Sequence, residues 1–309
     1  MSGPVWLDAG ALRRALPMAT AIDALEQALC ADDIPRAPLR TGLSADGGEL
    51  LMMPATGAAG TGVKLVAVQP ANPARGLPFI QGVYALFAPD TLTPAAVMDG
   101  GELTRLRTAA VSGLATRRLA RADARRLVVF GAGIQAAAHV EAMRAVRPIS
   151  HVTVVTRGRA RGDELVSALA GSGVAAEPGE PADVARADIV CCCTNSPEPV
   201  FDGGLLAPGC HVNAVGSYQP HTREIDSAAV ERSQVTVDDR EAVLAEAGDL
   251  LIPISEGRFA ADRIRADLRE LARGAQVRAG DDDITLFKCV GVAFEDLAVA
   301  AAARRAADG

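Results

Sequence analysis

The sequence is poor in lysine and has no cluster of positive charge. Only Lys64 and Lys288 among its 31 basic residues are lysines, and the formal net charge is −7. Nucleic acids and anionic membrane surfaces attract clustered positive side chains, so we expect neither as a partner. In a chain that uses arginine almost everywhere else, a lysine indicates a place for a compact ammonium whose proton can be released.

Long apolar segments and metal-binding cysteine patterns are also missing. No apolar run reaches the roughly 18 residues of a transmembrane helix, and the beginning of the sequence does not resemble a signal peptide. The six cysteines include the adjacent Cys191, Cys192 and Cys193. Neighbouring residues of a strand point to opposite faces, so these thiols cannot converge on one metal ion. We therefore expect a cytoplasmic protein with reduced cysteines and no metal site.

Short apolar runs separated by turn residues dominate the first part of the chain. An amphipathic helix at 8–30 precedes them, and a helix follows at about 102–120. The runs predict an antiparallel meander with strands at 36–44, 49–54, 62–69, 79–88 and 94–98. This pattern is typical of an α+β domain, which we place at residues 1–120.

From Ala124 onwards, apolar strands alternate with helices. Continuous apolar runs are typical of parallel strands buried on both faces, and their alternation with helices predicts a doubly wound α/β sheet. The strands are expected at 127–130, 151–156, near 174, and at 188–193, 211–215 and 234–238. We predict that this Rossmann domain covers 121–282 and that the last segment, 283–309, returns to the first domain.

A glycine-rich turn follows the first of these strands. Gly131 allows a tight turn, Gly133 lets the backbone approach a pyrophosphate, and Ala136 takes the position where helix and strand pack. The helix that begins with Ile134 and Gln135 offers backbone N–H groups and the positive end of its dipole to phosphates. The alternative is a glycine turn in another kind of α/β protein. The strand–turn–helix context favours a nicotinamide dinucleotide site.

The end of the second strand indicates which dinucleotide is bound. An NAD site usually has an acidic residue there for the ribose 2′-hydroxyl. This sequence has Thr156 followed by Arg157, Arg159 and Arg161, with no acid. Arginine can bind a 2′-phosphate through charge-assisted hydrogen bonds, so NADPH is predicted over NADH. The alternative is a solvated basic loop that opens the next helix.

Three cations of the first domain have apolar surroundings. Lys64 lies within an apolar strand, Arg107 has apolar or small helical neighbours, and Arg40 lies in a hairpin strand. A buried ammonium without a partner is unfavourable, so Lys64 needs an anion, either an internal carboxylate or a substrate. Spacing alone leaves two alternatives open, which are structural ion pairs and a clamp for a substrate carboxylate.

Ordered motifs over nearly the whole chain resemble the ornithine cyclodeaminase/mu-crystallin family. They are GVKLV at 62–66, Asn72-Pro with Arg75-Gly-Leu-Pro, LTRLRTAA at 103–110, GAGIQA at 131–136, NAVGSYQP at 213–220 with REID at 223–226, EAGDL at 246–250 and DITLFKCVGVAFED at 283–296. The resemblance implies a Rossmann domain joined to a substrate-binding domain that also forms a homodimer.

The same resemblance implies roles for individual residues. Arg40, Lys64 and Arg107 fall on the positions that hold the α-carboxylate of the substrate, and Thr108 falls on one that reaches toward the cofactor. Further cofactor contacts are predicted from Thr194, Val215 and Ser217. Lys64 is the predicted catalytic residue, either as a proton donor or as a fixed charge.

Departures from the cyclodeaminases point to a different reaction. Ser217 and Leu51 stand where cyclodeaminases have acids, and Lys288 stands where they tend to have aspartate. Without an acid to manage a departing amine, the resemblance implies NAD(P)H-dependent reduction of an imine next to a carboxylate. Pyrroline-2-carboxylate and piperideine-2-carboxylate are candidate substrates. The alternatives are an alanine-type amino-acid dehydrogenase, an ornithine cyclodeaminase and a non-catalytic NADPH-dependent ligand-binding protein.

Overall fold

The computed structural model describes residues 3–32 and 35–307. Numbered in chain order, its strands are β1 (Val5–Leu7), β2 (Thr41–Ala45), β3 (Gly48–Gly57), β4 (Gly60–Val68), β5 (Ile80–Phe87), β6 (Pro94–Asp99), β7 (Arg126–Phe130), β8 (His151–Val155), β9 (Ala175–Pro178), β10 (Ile189–Cys192), β11 (His211–Ala214), β12 (Ser233–Val237), β13 (Ala266–Asp267) and β14 (Ile284–Lys288). Its helices are α1 (Ala9–Ala15), α2 (Met18–Cys30), α3 (Gly100–Leu119), α4 (Ile134–Val146), α5 (Arg159–Gly171), α6 (Ser227–Arg232), α7 (Arg240–Glu246), α8 (Gly248–Ser255), α9 (Leu268–Ala272) and α10 (Ala293–Ala306).

The chain divides into two compact units. The first contains the residues up to Thr108 together with those from Gly291 onwards, and the second contains Ala109–Val290. One division therefore falls inside α3, and the other falls between β14 and α10. The sequence-based domain limits lie near 120 and 283, several residues away from each division.

A six-stranded sheet forms the centre of the first unit. Its order is β1-β6-β5-β4-β3-β2, with β2 to β6 antiparallel and β1 parallel to β6. The predicted meander is therefore confirmed. Alternate residues of β4, including Val66 and Val68, are buried on the side of the sheet that packs against α10. Lys64 shares their inward register, which places a charged group in the core.

The predicted N-terminal helix is interrupted. The sequence predicts one helix at 8–30, but α1 ends at Ala15 and α2 begins at Met18, with Pro17 as its N-cap. Proline lacks a backbone N–H and clashes with the carbonyl four residues earlier, so it ends the preceding helix. Across the described residues, no helix combines the length and the apolar character that a membrane span requires.

An eight-stranded parallel sheet forms the centre of the second unit. Its order is β13-β12-β14-β11-β10-β7-β8-β9, and every adjacent pair of strands is parallel. The predicted doubly wound α/β fold is confirmed. Because β7 pairs with β8 on one side and β10 on the other, the strand order changes direction beside β7. Open α/β sheets bind ligands at the carboxyl ends of strands at such a switch point.

The structure divides the predicted segment 283–309 between the two units. β14 lies between β11 and β12 in the parallel sheet, whereas α10 packs on β3, β4 and β5 of the first unit. The assignment of β14 to the first domain is therefore wrong. All five residues of β14 are buried, as in a central parallel strand, and a short apolar run does not reveal which sheet it joins.

Candidate active site

Lys64 forms a buried ion pair in the first unit. Its side chain is 1% exposed, and its ammonium nitrogen lies 2.9 Å from both carboxylate oxygens of Asp296. The lysine comes from β4, and the aspartate comes from the first turn of α10. The anion that a buried lysine requires is therefore an internal carboxylate, which was one of the two alternatives left open by the sequence.

Arg107 joins the same cluster from α3. Its Nη1 donates to Glu295 Oε2 at 2.8 Å, and its Nε lies 3.3 Å from Asp296 Oδ1. Both acids are fully buried. Asp296 therefore connects Arg107 to Lys64, and the two cations are held in fixed positions relative to each other.

Arg40 approaches the same cluster at Gly291. Its Nη2 donates to the Gly291 carbonyl oxygen at 3.1 Å. Gly291 has a φ of +80°, and a Cβ at this position would collide with the guanidinium of Arg107. Only glycine satisfies both the backbone conformation and this close approach. The three cations that the sequence singles out thus lie together.

Glu295 and Asp296 are members of the cluster that sequence reasoning misses. They stand in the first turn of α10, where the helix dipole favours negative charge. The rest of that helix is rich in alanine and almost entirely buried. An adjacent pair of acids in such a helix is the signal that could have found them, because buried carboxylates need cationic partners.

Burial changes the proton affinity of the groups around Lys64. Burial, and next the positive charge of Arg107, lower the pKa of Lys64 to about 8, although Asp296 opposes the shift. Tyr84 lies opposite Lys64 on β5, and burial together with the charge of Asp296 raises the pKa of its phenol. Near neutral pH, Lys64 is therefore close to its titration range, while Tyr84 keeps its proton.

The glycine turn between β7 and α4 suits a dinucleotide. Gly131 has a φ of +102°, and a Cβ there would lie 2.7 Å from the carbonyl oxygen of Cys193, so only glycine fits. Gly133 is the N-cap of α4, and apart from its chain neighbours no described atom lies within 4 Å of its ideal Cβ position. No described side chain caps this helix, which begins with Ile134 and Gln135. Its N–H groups and dipole are suited to a phosphate.

The arginines predicted to select the cofactor follow β8. The hydroxyl of Thr156 donates to the Gly158 carbonyl oxygen at 2.9 Å, which orders the start of this loop. Arg157 and Arg159 are exposed, and neither has an ion-pair partner among the residues that the structure describes. Their exposure suits an anion-binding site as well as a solvated loop.

The other predicted cofactor residues follow later strands. Thr194 comes shortly after β10, and Val215 and Ser217 come shortly after β11. Because β8, β7, β10 and β11 are neighbours in a parallel sheet, the structure brings their carboxyl ends to one edge of that sheet. Thr108 belongs to the first unit.

Lys288 is the centre of a second buried cluster, in the second unit. Its ammonium nitrogen lies 2.7 Å from Asp249 Oδ2 and donates to the Ser217 carbonyl oxygen at 2.5 Å. Asp249 Oδ1 accepts from the backbone N–H of Glu224 at 2.7 Å. Burial alone would lower the pKa of Lys288, but the charges of Asp249 and Glu224 raise it above its ordinary value. Sequence reasoning misses both acids, although each lies in one of the family-like motifs.

The sequence is similar to known proteins over nearly its whole length. The profile described as the ornithine cyclodeaminase/mu-crystallin family matches residues 8–308. A Delta(1)-pyrroline-2-carboxylate reductase from Paracoccus denitrificans is 36% identical over 313 residues, which cover 97% of this chain and 96% of the relative. The sequence similarity therefore extends through both units.

Solved structures show the same extent of similarity. The Delta(1)-pyrroline-2-carboxylate reductase of Thermococcus litoralis, in complex with NADH and L-proline, has a TM-score of 0.94 at 32% identity, covering 98% of this chain and 97% of that chain. An archaeal alanine dehydrogenase dimer with bound NAD has a TM-score of 0.92 at 29% identity, covering 98% of this chain and 96% of that chain. Both similarities again cover nearly all of the residues.

Proposed function

The chain belongs to the ornithine cyclodeaminase/mu-crystallin family, and on this basis we propose that it is an NAD(P)H-dependent reductase of an imine next to a carboxylate. The product is an α-amino acid, and the proposed substrates are cyclic ketimines such as pyrroline-2-carboxylate and piperideine-2-carboxylate. The observation that carries the proposal is the buried cluster of Lys64 and Arg107, because groups with perturbed pKa values cluster at functional sites. The pyrroline-2-carboxylate reductases among the relatives support the choice of imine.

We assign the substrate carboxylate to Arg40, Lys64 and Arg107. Arg107 presents a planar fork that suits both oxygens of a carboxylate, and Lys64 adds a point charge. Glu295 and Asp296 orient these cations through direct ion pairs. The cations therefore need little rearrangement when the substrate arrives. Placing the reacting carbon in this way can lower a barrier by about 7–11 kcal/mol.

The reaction adds a hydride to the imine carbon and a proton to the imine nitrogen. The reduced nicotinamide, when bound, supplies the hydride. Lys64 is the proposed proton donor, because a pKa of about 8 keeps it protonated near neutral pH while leaving its proton easy to release. Asp296 accepts a hydrogen bond from the ammonium through Oδ1 and so orients it.

We propose that the residues predicted from the glycine turn and the strand ends bind the cofactor, and that NADPH is preferred over NADH. Besides Gly131 and Gly133, the proposed contacts are Thr108, Ile134, Gln135, Thr156, Arg157, Arg159, Thr194, Val215 and Ser217. The exposed arginines stand where NAD sites usually have an acid, and arginine can bind a 2′-phosphate.

Binding measurements test the cofactor preference. NADPH should bind at least about tenfold more tightly than NADH, a difference of about 1.4 kcal/mol. Arg157→Ala should weaken NADPH binding and leave NADH binding unchanged. Arg144→Ala, which removes an exposed arginine near the end of α4, should leave both unchanged. Equal affinities for the two dinucleotides in the unmodified protein would contradict the preference.

A homodimer is the proposed assembly. The strand registers place four exposed apolar side chains on the face of the first sheet opposite Lys64, namely Trp6, Leu43, Leu65 and Val83. Exposed apolar side chains that share one face of a sheet are typical of a protein–protein interface. In light scattering, Leu65→Glu should shift the protein toward monomer, whereas Leu205→Glu, at an exposed leucine of the second unit, should not. A monomeric unmodified protein would rule the dimer out.

We propose a cytoplasmic location because the cysteines do not form disulfides. All six cysteines lie within the described residues, and none of them is joined to another in a disulfide there. Free thiols persist in a reducing compartment, whereas oxidising compartments favour disulfides. Localisation of a tagged full-length chain would test this proposal.

A substrate panel tests the reaction. With NADPH, loss of cofactor absorbance should be faster with pyrroline-2-carboxylate or piperideine-2-carboxylate than with pyruvate plus ammonia. The reverse order would favour an alanine-type dehydrogenase, and tight NADPH binding without any turnover would favour a ligand-binding protein. Release of proline and ammonia from ornithine would favour a cyclodeaminase. Leu51 is a buried apolar residue, and Ser217 has a hydroxyl that donates to the Thr222 carbonyl. Neither side chain is the carboxylic acid that cyclodeaminases have at these positions.

A further inference from the structure

Glu224 joins two loops of the second unit through its carboxylate. Its Oε1 accepts from the backbone N–H of Thr194 at 2.6 Å and from the Thr194 hydroxyl at 2.7 Å, and its Oε2 accepts from the N–H of Gly216 at 2.5 Å. Thr194 follows β10 and Gly216 follows β11, and these strands are parallel neighbours. One carboxylate therefore fixes the chain segments that leave both strands at their carboxyl ends.

The packing around this carboxylate is close. A Cβ on Gly216 would collide with the Thr194 carbonyl oxygen and with both carboxylate oxygens of Glu224. Glu224 is fully buried, and its own N–H donates to Asp249, which is paired with Lys288. Lys288 in turn donates to the Ser217 carbonyl oxygen. This chain of contacts reaches the loop after β11 a second time, so the loop is held at two adjacent residues.

The side chain at position 224 needs one hydrogen-bond acceptor toward each loop, because both loops point an N–H at it. Burial and the charge of Asp249 raise the pKa of Glu224, whereas the charge of Lys288 and the hydrogen bonds from Thr194 oppose this shift. Three donors point at its two carboxylate oxygens, which a buried acceptor needs. A glutamine in this place would have one acceptor oxygen, and its NH2 group would face an N–H of one of the loops. A carboxylate is therefore the side chain that matches both loops at once.

The two loops lie on the side of the sheet proposed for the nicotinamide end of the cofactor. Arg157, the proposed phosphate ligand of the adenosine end, follows β8 on one side of β7, and β10 and β11 lie on the other side. In doubly wound sheets the dinucleotide extends across the carboxyl ends of strands on both sides of the switch point. Thr194, Val215 and Ser217 then belong to the nicotinamide side.

We propose that Glu224 is a positioning residue for the nicotinamide end of the cofactor site. It acts through the loops that carry Thr194 and Ser217, which it holds at the spacing that the dinucleotide requires. The role rests on the proposed cofactor contacts of these loops and is independent of which imine is reduced.

Asp226 provides a matched control within the same REID motif. Its carboxylate also accepts from two backbone N–H groups, those of Gly203 at 3.0 Å and Ala229 at 2.8 Å. Those residues lie in segments without any proposed cofactor contact. A purely structural effect of losing a backbone-bound acid should therefore appear in both variants, whereas a positioning effect should appear only at Glu224.

Fluorescence titration of the purified full chain with NADPH tests the role. Glu224→Gln should raise the Kd of NADPH by about tenfold or more, because it disturbs hydrogen bonds to a charged group at two loops. Asp226→Asn should leave the Kd within about twofold, even where both variants lower the Tm. In imine reduction, Glu224→Gln should raise the KM for NADPH and leave the KM for the imine nearly unchanged.

Each outcome decides for or against the role. A folded Glu224→Gln protein with an unchanged Kd would overturn it, and so would an equal loss of NADPH affinity in Asp226→Asn. If Glu224→Gln does not fold, Glu224→Asp decides, because its shorter side chain cannot reach both loops and the Kd must still rise. Failure of both variants to fold would assign the residue to the fold alone. An unmodified chain that binds no dinucleotide would instead overturn the proposed function itself.

Discussion

The two lysines of this chain stand in separate units at sites with similar geometry. Lys64 is 1% exposed and lies 2.9 Å from Asp296, and Lys288 is 0% exposed and lies 2.7 Å from Asp249. Each lysine points inward from a strand, and each aspartate belongs to a helix and is fully buried. Burial and the type of partner are therefore the same at both sites.

Beyond the ion pair, Lys64 has a second cation, Arg107, together with the acid Glu295, whereas Lys288 has a second acid, Glu224. At Lys64, burial and then the charge of Arg107 lower the pKa to about 8, and at Lys288 the charges of Asp249 and Glu224 outweigh burial and raise the pKa. A second cation makes a buried lysine ready to release its proton, and a second acid keeps the proton in place. The comparison supports the proposal that Lys64 transfers the proton and that Lys288 is structural.

The largest expected effect is on turnover in Lys64→Arg. Arginine keeps the positive charge and the attraction for a carboxylate, but it does not give up its proton in a protein. If Lys64 is the proton donor, kcat should fall by about 10²–10⁴ in steady-state imine reduction. Circular dichroism and an unchanged Kd for NADPH would show that the variant is folded. A near-normal kcat with a raised KM would leave Lys64 only a role in carboxylate binding.

Removal of the other lysine should act on stability. Lys288→Met leaves Asp249 buried without its cation, and breaking a buried pair in this way costs about 3–5 kcal/mol. Lys64→Met should cost less, because Asp296 keeps Arg107 as a second cation. Urea unfolding of both variants measures the two losses. Equal losses of unfolding free energy in the two variants would contradict the compensating role of Arg107 at Asp296.

The fold of both units was largely predictable, because it depends on patterns along short stretches of chain. The short apolar runs of the first unit, the apolar run of β7 and the glycine turn each carry their own signal. The family resemblance predicted from ordered motifs is confirmed by the profile match over residues 8–308. Local patterns do not show where an element packs, which is why β14 was placed in the wrong domain.

The composition of the two lysine clusters was less predictable. The rarity of lysine draws attention to Lys64 and Lys288, but Asp296 lies 232 residues from Lys64 along the chain. No local pattern connects such distant residues, so the sequence leaves the anion at Lys64 undetermined. The direction in which the pKa of each lysine shifts depends on the charged residues beyond its aspartate partner. Only the folded structure shows which residues these are.

The pH dependence of turnover separates the two lysines without any mutation. The pKa of Lys64 is lowered to about 8, so the group carries its proton below this pH and loses it as the pH rises. As a proton donor it should make kcat/KM fall by about tenfold per pH unit above about 8. Lys288 has a raised pKa and stays charged over this range, so it causes no such fall in kcat/KM. A rate that stays level well above pH 8 would contradict the role of Lys64.

The smallest expected effect is that of Arg107→Lys. This variant separates the proposed role of Arg107 in carboxylate binding from that of Lys64 in proton transfer. Lysine keeps the charge next to Glu295 and Asp296 but loses the planar fork that matches both oxygens of a carboxylate. Because binding geometry changes and the proposed proton donor does not, KM for the imine should rise by about tenfold while kcat stays within a few-fold. The added lysine also replaces the guanidinium next to Gly291 with a smaller group, so the fold should tolerate it. A large fall in kcat with little change in KM would mean that Arg107 acts on the reacting atoms, and the assignment of proton transfer to Lys64 alone would then fail.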